Sequence, residues 1–546
     1  MATFPAEALQ VQQLCMLIPA TLYVKVLLLL KSPAGTWLTW KFWFLHRRLE
    51  TVSGFFTVAL WLCCWAFSEM KKSQLPLSAG FIITAGAKWP IKERHVDLLC
   101  AGVRYGNRPK GGEEEATHSA PGKSRSIDKK KVNALRVKAI FNWVVPDHNA
   151  DAFRAAWPRS DAIGDRAVAW FFGGLTRWDA QYFLHIAEHG YTYEQTLAFF
   201  PLYPWLLRRA ADVFVDPFLS SLLARHSALV LAGVFLNVGL FVVAAASLHR
   251  LTRRLFSKEL ADEALLLFCF NPASIFFSAC YTESLFAAVS FGGLAFLEHG
   301  HPNLATLLFF LGGFVRSNGF LSAGFLLYSG LVLGWTPFRS FLRAAVCFVP
   351  FVLFQCYAWS LFCVPDYSGR PPALVASQAS EAGYKLAGRN ASEWCSASLP
   401  FSYGYVQSRY WDVGFLAYYR PKQLPNFLLA LPAAVVVASC CARFSRSPGD
   451  ARHVPYVLHA GGLLLLCVLF ANVQVTTRLL AAASPVLYWS TFLAADPRPR
   501  TKGLHVWADV VRNLWRRDLR CKRLVTFFAA YAVVGTALHV NFLPWT

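Results

Sequence analysis

Charge is scarce in this chain. Only 15% of its 546 residues are Asp, Glu, Lys or Arg, against about a quarter in an ordinary soluble domain. So little polar surface does not keep a protein of this size in water. Acidic residues are the rarer sign, 31 against 53 Lys and Arg, for a net charge of +22. The 14 Cys include no Cys-x-x-Cys pair, which removes the usual signature of a zinc or redox site. No zinc-finger spacing or continuous basic helix accompanies the positive charge, so nucleic acid is not expected as a partner. The carboxyl-terminal NFLPWT is neither a KDEL-type signal nor a prenylation box. The first apolar run lacks the positive n-region of a signal peptide. The repeats expected of a transporter are missing too.

What is abundant is apolar sequence, 55% of the chain, with a mean hydropathy of +0.38. A spanning helix needs about 20 mostly apolar residues. Candidate runs cover 228–248, 264–280, 282–297, 303–315, 319–335, 341–363, 425–442, 454–471, 476–495 and 524–543. The pattern predicts an all-α polytopic membrane protein. Lys and Arg concentrate in the connections 249–262, 337–343, 443–453 and 496–523, which fall on one side if the spans alternate. By the positive-inside rule that side is cytosolic. The long segments around 149–225 and 364–424 then fall on the opposite, lumenal side, as do the short turns near Arg316 and at Gln474–Arg478.

The 364–424 segment carries Asn390-Ala391-Ser392, an N-glycosylation acceptor that matters only in the lumen. Cys363 and Cys395 flank the same region; an oxidising lumen permits a disulfide between them, and two free thiols at apolar boundaries are the alternative. Upstream, apolar runs at 15–30 and 54–67 precede a polar, Lys-rich tract at 106–131 with the composition of a disordered linker.

The stretch with chemistry in it is 170–205, WFFGGLTRWDAQYFLHIAEHGYTYEQTLAFFPLYPW. It is aromatic-rich yet holds Asp179, Glu188 and Glu194, and ionisable groups at membrane depth are costly enough to mark function. Asp179, between Trp178 and the Tyr182-Phe183 run, is placed as a partly desolvated carboxylate able to act as a base. The bland alternative is an interfacial helix with aromatic anchors and a solvated Asp. His185-Ile186-Ala187-Glu188-His189 matches H-x-x-E-H, a zinc-peptidase pattern with both His on one helical face. Five residues in a membrane-surface loop, with no third ligand to single out, favour helix packing or substrate hydrogen bonding instead. Glu283, inside an apolar run, either lines a lipid groove or caps a broken helix.

From about residue 132 to 546 the chain closely resembles the PIG-V family, GPI mannosyltransferase II. The resemblance rests on VVPDHNADAF (144–153), RWDAQYFLHIAEHGY (177–191), FFPLYP (199–204), NPASIFFSACYTESLFA (271–287), GFVRSNG (313–319), YWDVGFLAYYRPKQLPNFLLA (410–430) and the terminal NFLPWT. It implies a GT-C glycosyltransferase-type multi-span helical bundle in the endoplasmic reticulum membrane, working on the lumenal side. The implied reaction transfers the second mannose, in α-1,6 linkage, from dolichyl-phosphate-mannose to a glycosylphosphatidylinositol (GPI) anchor precursor. Inversion then calls for one general base. The family's Trp-Asp pair falls on Trp178 and Asp179. Arg316 and Arg478 are candidates to hold the leaving phosphate, or are topology anchors. Arg177, His185, Glu188 and Asn318 complete the substrate-binding candidates. No Asp-x-Asp pair lies beside Asp179, so no obligatory metal or cofactor is expected. A small accessory subunit is left open. Residues 1–131 match nothing in the family and read as an extension arising from a misplaced gene start, or else as a lineage-specific addition. A GT-C enzyme acting on another lipid-linked glycan is the nearest rival function; a polytopic transporter is the more distant one.

Overall fold

The computed structural model describes residues 152–546 except 159, 366–370, 390, 447–450, 494–506, 544 and 546. The amino-terminal runs, the 106–131 tract and the Asn390 acceptor therefore lie outside the described residues. The described chain is helical, and its only β pairing is one isolated bridge between Tyr193 and Leu386.

Three short helices come first: α1 (Ile163–Phe172), α2 (Ala180–His189) and α3 (Leu202–Ala210). Then come α4 (Arg225–Leu255), α5 (Lys258–Cys269), α6 (Glu283–Glu298), α7 (Pro302–Val315), α8 (Ala323–Val332), α9 (Pro337–Val346) and α10 (Val349–Phe362). After α11 (Ala373–Ala382) and α12 (Ser402–Trp411) follow α13 (Leu424–Arg446), α14 (Val454–Leu469), α15 (Thr476–Ala483), α16 (Trp507–Arg517) and α17 (Leu519–Val540).

Local chemistry sets several of these ends. Asp165 accepts the Ala224 N–H at 2.9 Å just ahead of α4. Ser257 accepts the Leu260 N–H and so caps α5, and Asp518 caps α17 through the Cys521 N–H at 2.7 Å. These caps satisfy amides that a helix start leaves without intrahelical partners.

Among the described residues, five helical segments are long and apolar enough to cross a membrane: Arg225–Leu255, Pro337–Phe362, Pro421–Arg446, Ala451–Leu469 and Leu519–Val540. The chain is a multi-pass membrane protein. The sequence predicted ten runs, and the other five fold as shorter or broken helices. Run 264–280 breaks at Asn271-Pro272, where Asn271 Oδ1 accepts the Ala273 N–H at 2.9 Å and the proline disfavours a helical residue before it. Run 319–335 opens as a 3-10 turn before α8, and run 476–495 gives α15 and then a 3-10 stretch, Pro485–Leu493. The remaining two, α6 and α7, have 16 and 14 residues, about 24 and 21 Å long. The hydrocarbon layer is about 30 Å thick. Helix α6 does not need to match it, because nearly every one of its side chains is buried in protein.

The two ends of the bundle differ. At one, the segments around 149–225 and 364–424 pack on each other. The Glu194 N–H donates to Lys385 O and the Ala387 N–H to Thr192 O, each at 3.0 Å. Buried Glu194 accepts from Trp394 Nε1 and Tyr410 Oη at 3.1 and 2.8 Å. Cys363 and Cys395 are joined as a disulfide with Cα atoms 5.5 Å apart. The basic connections gather at the opposite end. There Arg254 Nε donates to Glu298 O at 3.2 Å, Phe256 stacks on His453 at 4.6 Å, Arg343 donates to Asn303 and Arg517 pairs with Glu263. The grouping of connections expected from charge alone is the grouping observed.

Candidate active site

The end bearing the two long segments holds Asp179. A 3-10 turn, Gly173–Thr176, leads into extended Arg177, and Trp178 then takes φ +55°. A bulky residue rarely adopts the left-handed region, and holding it there costs about 1–3 kcal/mol. The kink delivers Asp179 to the start of α2. A carboxylate at that position usually caps the helix, but the Asp179 side chain makes no cap bond. It reaches outward and pairs with Arg478 Nη1 at 2.8 Å.

Arg478 belongs to α15, its guanidinium lying over the rings of Phe276 and Tyr281 at 5.2 and 5.7 Å. Its Nε is 3.8 Å from Glu283 Oε1. Glu283, in the first turn of α6, has a side chain only 1% exposed. The same Oε1 accepts from Arg316 Nη1 at 2.6 Å, while Glu283 Oε2 is buried without a hydrogen-bond partner. Arg316 is an extended residue (φ −150°) between α7 and the turn Ser317–Ser322. That turn closes against α7 at Gly319, where a Cβ would strike the Gly312 carbonyl. Asp179, Arg478, Glu283 and Arg316 thus form a line of alternating charge drawn from four separate parts of the chain.

Burial grades along this line. The Asp179 side chain is 26% exposed and Arg478 and Arg316 are each 15% exposed, so the open end of the line is the carboxylate. Sequence reasoning placed Asp179 as a partly desolvated carboxylate; the structure makes it an ion-paired one at the rim. An accessible carboxylate can accept a proton from one reactant, and the two guanidinium groups behind it can donate to a phosphate oxygen of another.

The other candidates divide. Arg177 and Trp178 flank the site, with the Arg177 guanidinium 4.2 Å from the Phe542 ring and Trp178 meeting the same ring at 5.9 Å. Asn318 sits beside Arg316, its Nδ2 buried and without a hydrogen-bond partner. His185 and Glu188 are not brought to Asp179. His185 is fully buried, stacked on Tyr193 at 4.6 Å, with Nε2 2.7 Å from Thr192 Oγ1. Burial and neighbouring His189 keep its imidazole neutral, pulling its pKa down to about 3. Glu188 turns away to Arg225 at 2.8 Å, which also binds Asp212 and Asp216. The two histidine rings of H-x-x-E-H lie 5.1 Å apart while Glu188 points elsewhere, and no group of three His, Cys, Asp or Glu able to hold a metal occurs among the described residues.

Three contributors escaped the sequence reading. Tyr281 donates from its hydroxyl to Arg177 O at 3.2 Å and accepts the Asp179 N–H at 3.1 Å. Phe542, itself at φ +59°, seats Arg177. Tyr403 donates to Ser317 Oγ at 2.7 Å, tying α12 to the Arg316 turn. The only signal for the first two was their place in the stretches 271–287 and 541–546, which resemble a known family without assigning them a role.

A family model described as Mannosyltransferase (PIG-V) matches residues 131–450 and 449–546. The GPI alpha-1,6-mannosyltransferase 2 of Cricetulus griseus is 36% identical over 479 residues, spanning 76% of this chain and 96% of that one. Its Homo sapiens counterpart is 35% identical over 478 residues, with the same 76% and 96% shares. The GPI mannosyltransferase 2 of Drosophila pseudoobscura pseudoobscura is 38% identical over 460 residues, spanning 76% and 97%. Among solved structures, the apo oligosaccharyltransferase of Archaeoglobus fulgidus aligns at 12% identity with a TM-score of 0.37, over 77% of this chain and 57% of that one.

Proposed function

This chain belongs to the PIG-V mannosyltransferase family, and from that premise we propose that it transfers the second mannose, in α-1,6 linkage, to the GPI-anchor precursor. The proposed donor is dolichyl-phosphate-mannose, and the site faces the lumen of the endoplasmic reticulum within a GT-C-type bundle. The observation that carries this reading is the charge line itself: a half-buried carboxylate at its open end, Asp179, with Arg478 and Arg316 held behind it by buried Glu283.

A β-linked mannosyl phosphate that yields an α-mannoside inverts at the anomeric carbon, so one displacement and one base suffice. Asp179 takes the proton of the acceptor's mannose 6-hydroxyl as that oxygen bonds to the anomeric carbon. The bond from that carbon to the phosphate oxygen breaks, and its electron pair leaves with dolichyl phosphate. Arg478 and Arg316 stabilise the charge that grows on this leaving group. A guanidinium has five N–H donors, so Arg478 can bind phosphate while it still touches Asp179 and Glu283. Two fixed cations do the work often given to a divalent ion, and the reaction is proposed without an obligatory metal. Trp178, at the rim beside Asp179, offers a flat apolar face to a sugar ring. Residues 1–131 are proposed to lie outside the catalytic unit, and the long segments around 149–225 and 364–424 to form its lumenal wall.

The test is Asp179→Asn, introduced into cells lacking this mannosylation step. It keeps the size of the side chain and removes the basic oxygen. Protein abundance should stay near normal while transfer falls by about two to four decades. The one-mannose intermediate should accumulate, and surface display of GPI-anchored proteins should fail to recover. Near-normal transfer by this variant from dolichyl-phosphate-mannose in microsomes would overturn the mechanism.

A further inference from the structure

Trp178 holds its left-handed conformation between two peptides that meet at one atom. The hydroxyl of Tyr281 donates to Arg177 O on one side and accepts the Asp179 N–H on the other, at 3.2 and 3.1 Å. These contacts bridge 104 and 102 positions of sequence. The tyrosine is itself fixed. Its side chain is 1% exposed, its carbonyl accepts from Asn237 Nδ2 of α4 at 3.1 Å, and the preceding Cys280 N–H donates to Leu175 O at 3.2 Å. A strained turn persists only where its surroundings over-determine it, and a buried hydroxyl joins the Ala180 N–H to Arg177 O and Gln181 N–H to Trp178 O bonds in closing this one.

We propose that Tyr281 is a positioning residue for the transfer reaction: its hydroxyl locks the Arg177–Asp179 turn and so aims the Asp179 carboxylate. The proposal rests on the reading of Asp179 as the base. Two residues further on, Glu283 anchors the arginines. The stretch 281–283 therefore sets both the direction of the carboxylate and the place of the cations opposite it. Tyr281 touches neither substrate in this account; it acts through the backbone on either side of Trp178.

Tyr281→Phe is the informative variant. It keeps the ring that lies under Arg478 and packs on Phe276 and His539, and deletes only the two hydrogen bonds. Misplacement of a reacting group by about an ångström costs on the order of 100-fold. With the purified full chain, kcat is expected to fall about 10- to 100-fold. The donor KM should move by less than about threefold, because the cations stay in place. The thermal midpoint should remain near that of the unchanged protein. A double-mutant cycle separates this from general weakening of the fold. In an Asp179→Asn background, followed over long incubations at high enzyme concentration, removing the hydroxyl should cost little more. An unchanged kcat in Tyr281→Phe, an equal cost in both backgrounds, or a protein that does not accumulate would each overturn the proposal. Near-normal transfer by Asp179→Asn alone would instead remove the base assignment on which it rests.

Discussion

Asp179 and Arg478 are 299 positions apart in sequence and 2.8 Å apart in space. Each was legible singly: the carboxylate by its aromatic setting, Arg478 and Arg316 as cations on the side opposite the basic connections, Glu283 by the cost of an acid in an apolar run. Their pairing was not, because nothing in a linear pattern brings α2, α6, α7 and α15 to one point. Tyr281 and Phe542 were less legible still, since what matters in them is a hydroxyl's direction and a ring's place. For His185 packing and substrate hydrogen bonding were both open, and the fold uses it in packing. Arg478→Lys tests the residue that joins the line. A guanidinium addresses Asp179 and Glu283 from different nitrogens, and an ammonium is a single point charge. Loss of a charged hydrogen bond is worth about 1.5–3 kcal/mol, so kcat/KM for the donor should drop by about 10- to 100-fold. An unaltered donor dependence in a microsomal assay would take Arg478 out of phosphate binding.

Between residues and the whole lies the contact of the 149–225 and 364–424 segments. Its hub is Glu194, 1% exposed, with both carboxylate oxygens accepting across the contact, from Trp394 and Tyr410. Glu194→Gln keeps the shape and turns one acceptor into a donor. An unsatisfied buried group costs about 1–3 kcal/mol, and here the loss falls on the joint between the two segments. The thermal midpoint should fall, and limited proteolysis should cut the 364–424 segment sooner. A variant as resistant as the unchanged protein would mean that the disulfide and the backbone pairing carry the joint alone. The breaks at Asn271-Pro272 and Ser484-Pro485 were missed, since 264–280 and 476–495 were each taken as one run despite the proline inside it. Short helices within apolar runs fall below the expected span length for a physical reason. Counting apolar residues assumes lipid on every side, whereas α6 is sheathed by protein and owes nothing to bilayer thickness. The disulfide was one of two readings of Cys363 and Cys395, and the fold selects it by bringing their Cα atoms to 5.5 Å.

For the molecule as a whole, charge alone grouped the connections as the fold groups them, and the positive-inside rule supplies the proposed cytosolic side. In sealed microsomes, protease added from the cytosolic side should cleave within the basic end and spare 364–424 until detergent opens the vesicles. Cleavage of 364–424 in intact vesicles would reverse the proposed orientation. Side chains such as Val352, Leu353, Leu431, Val435, Val533 and Val534 lie exposed on α10, α13 and α17, where lipid meets them. Helix α6 is different in kind. It is enclosed, and it is pressed so close to α7 that a Cβ at Gly293 would strike the Phe309 ring; such contacts do not slide. Changes in bilayer thickness, lateral pressure or lipid composition therefore load the outer helices first. Glu283, rooted in α6, keeps both arginines in register while the perimeter yields, so the spacing on which the proposed transfer depends is mechanically insulated from the membrane around it.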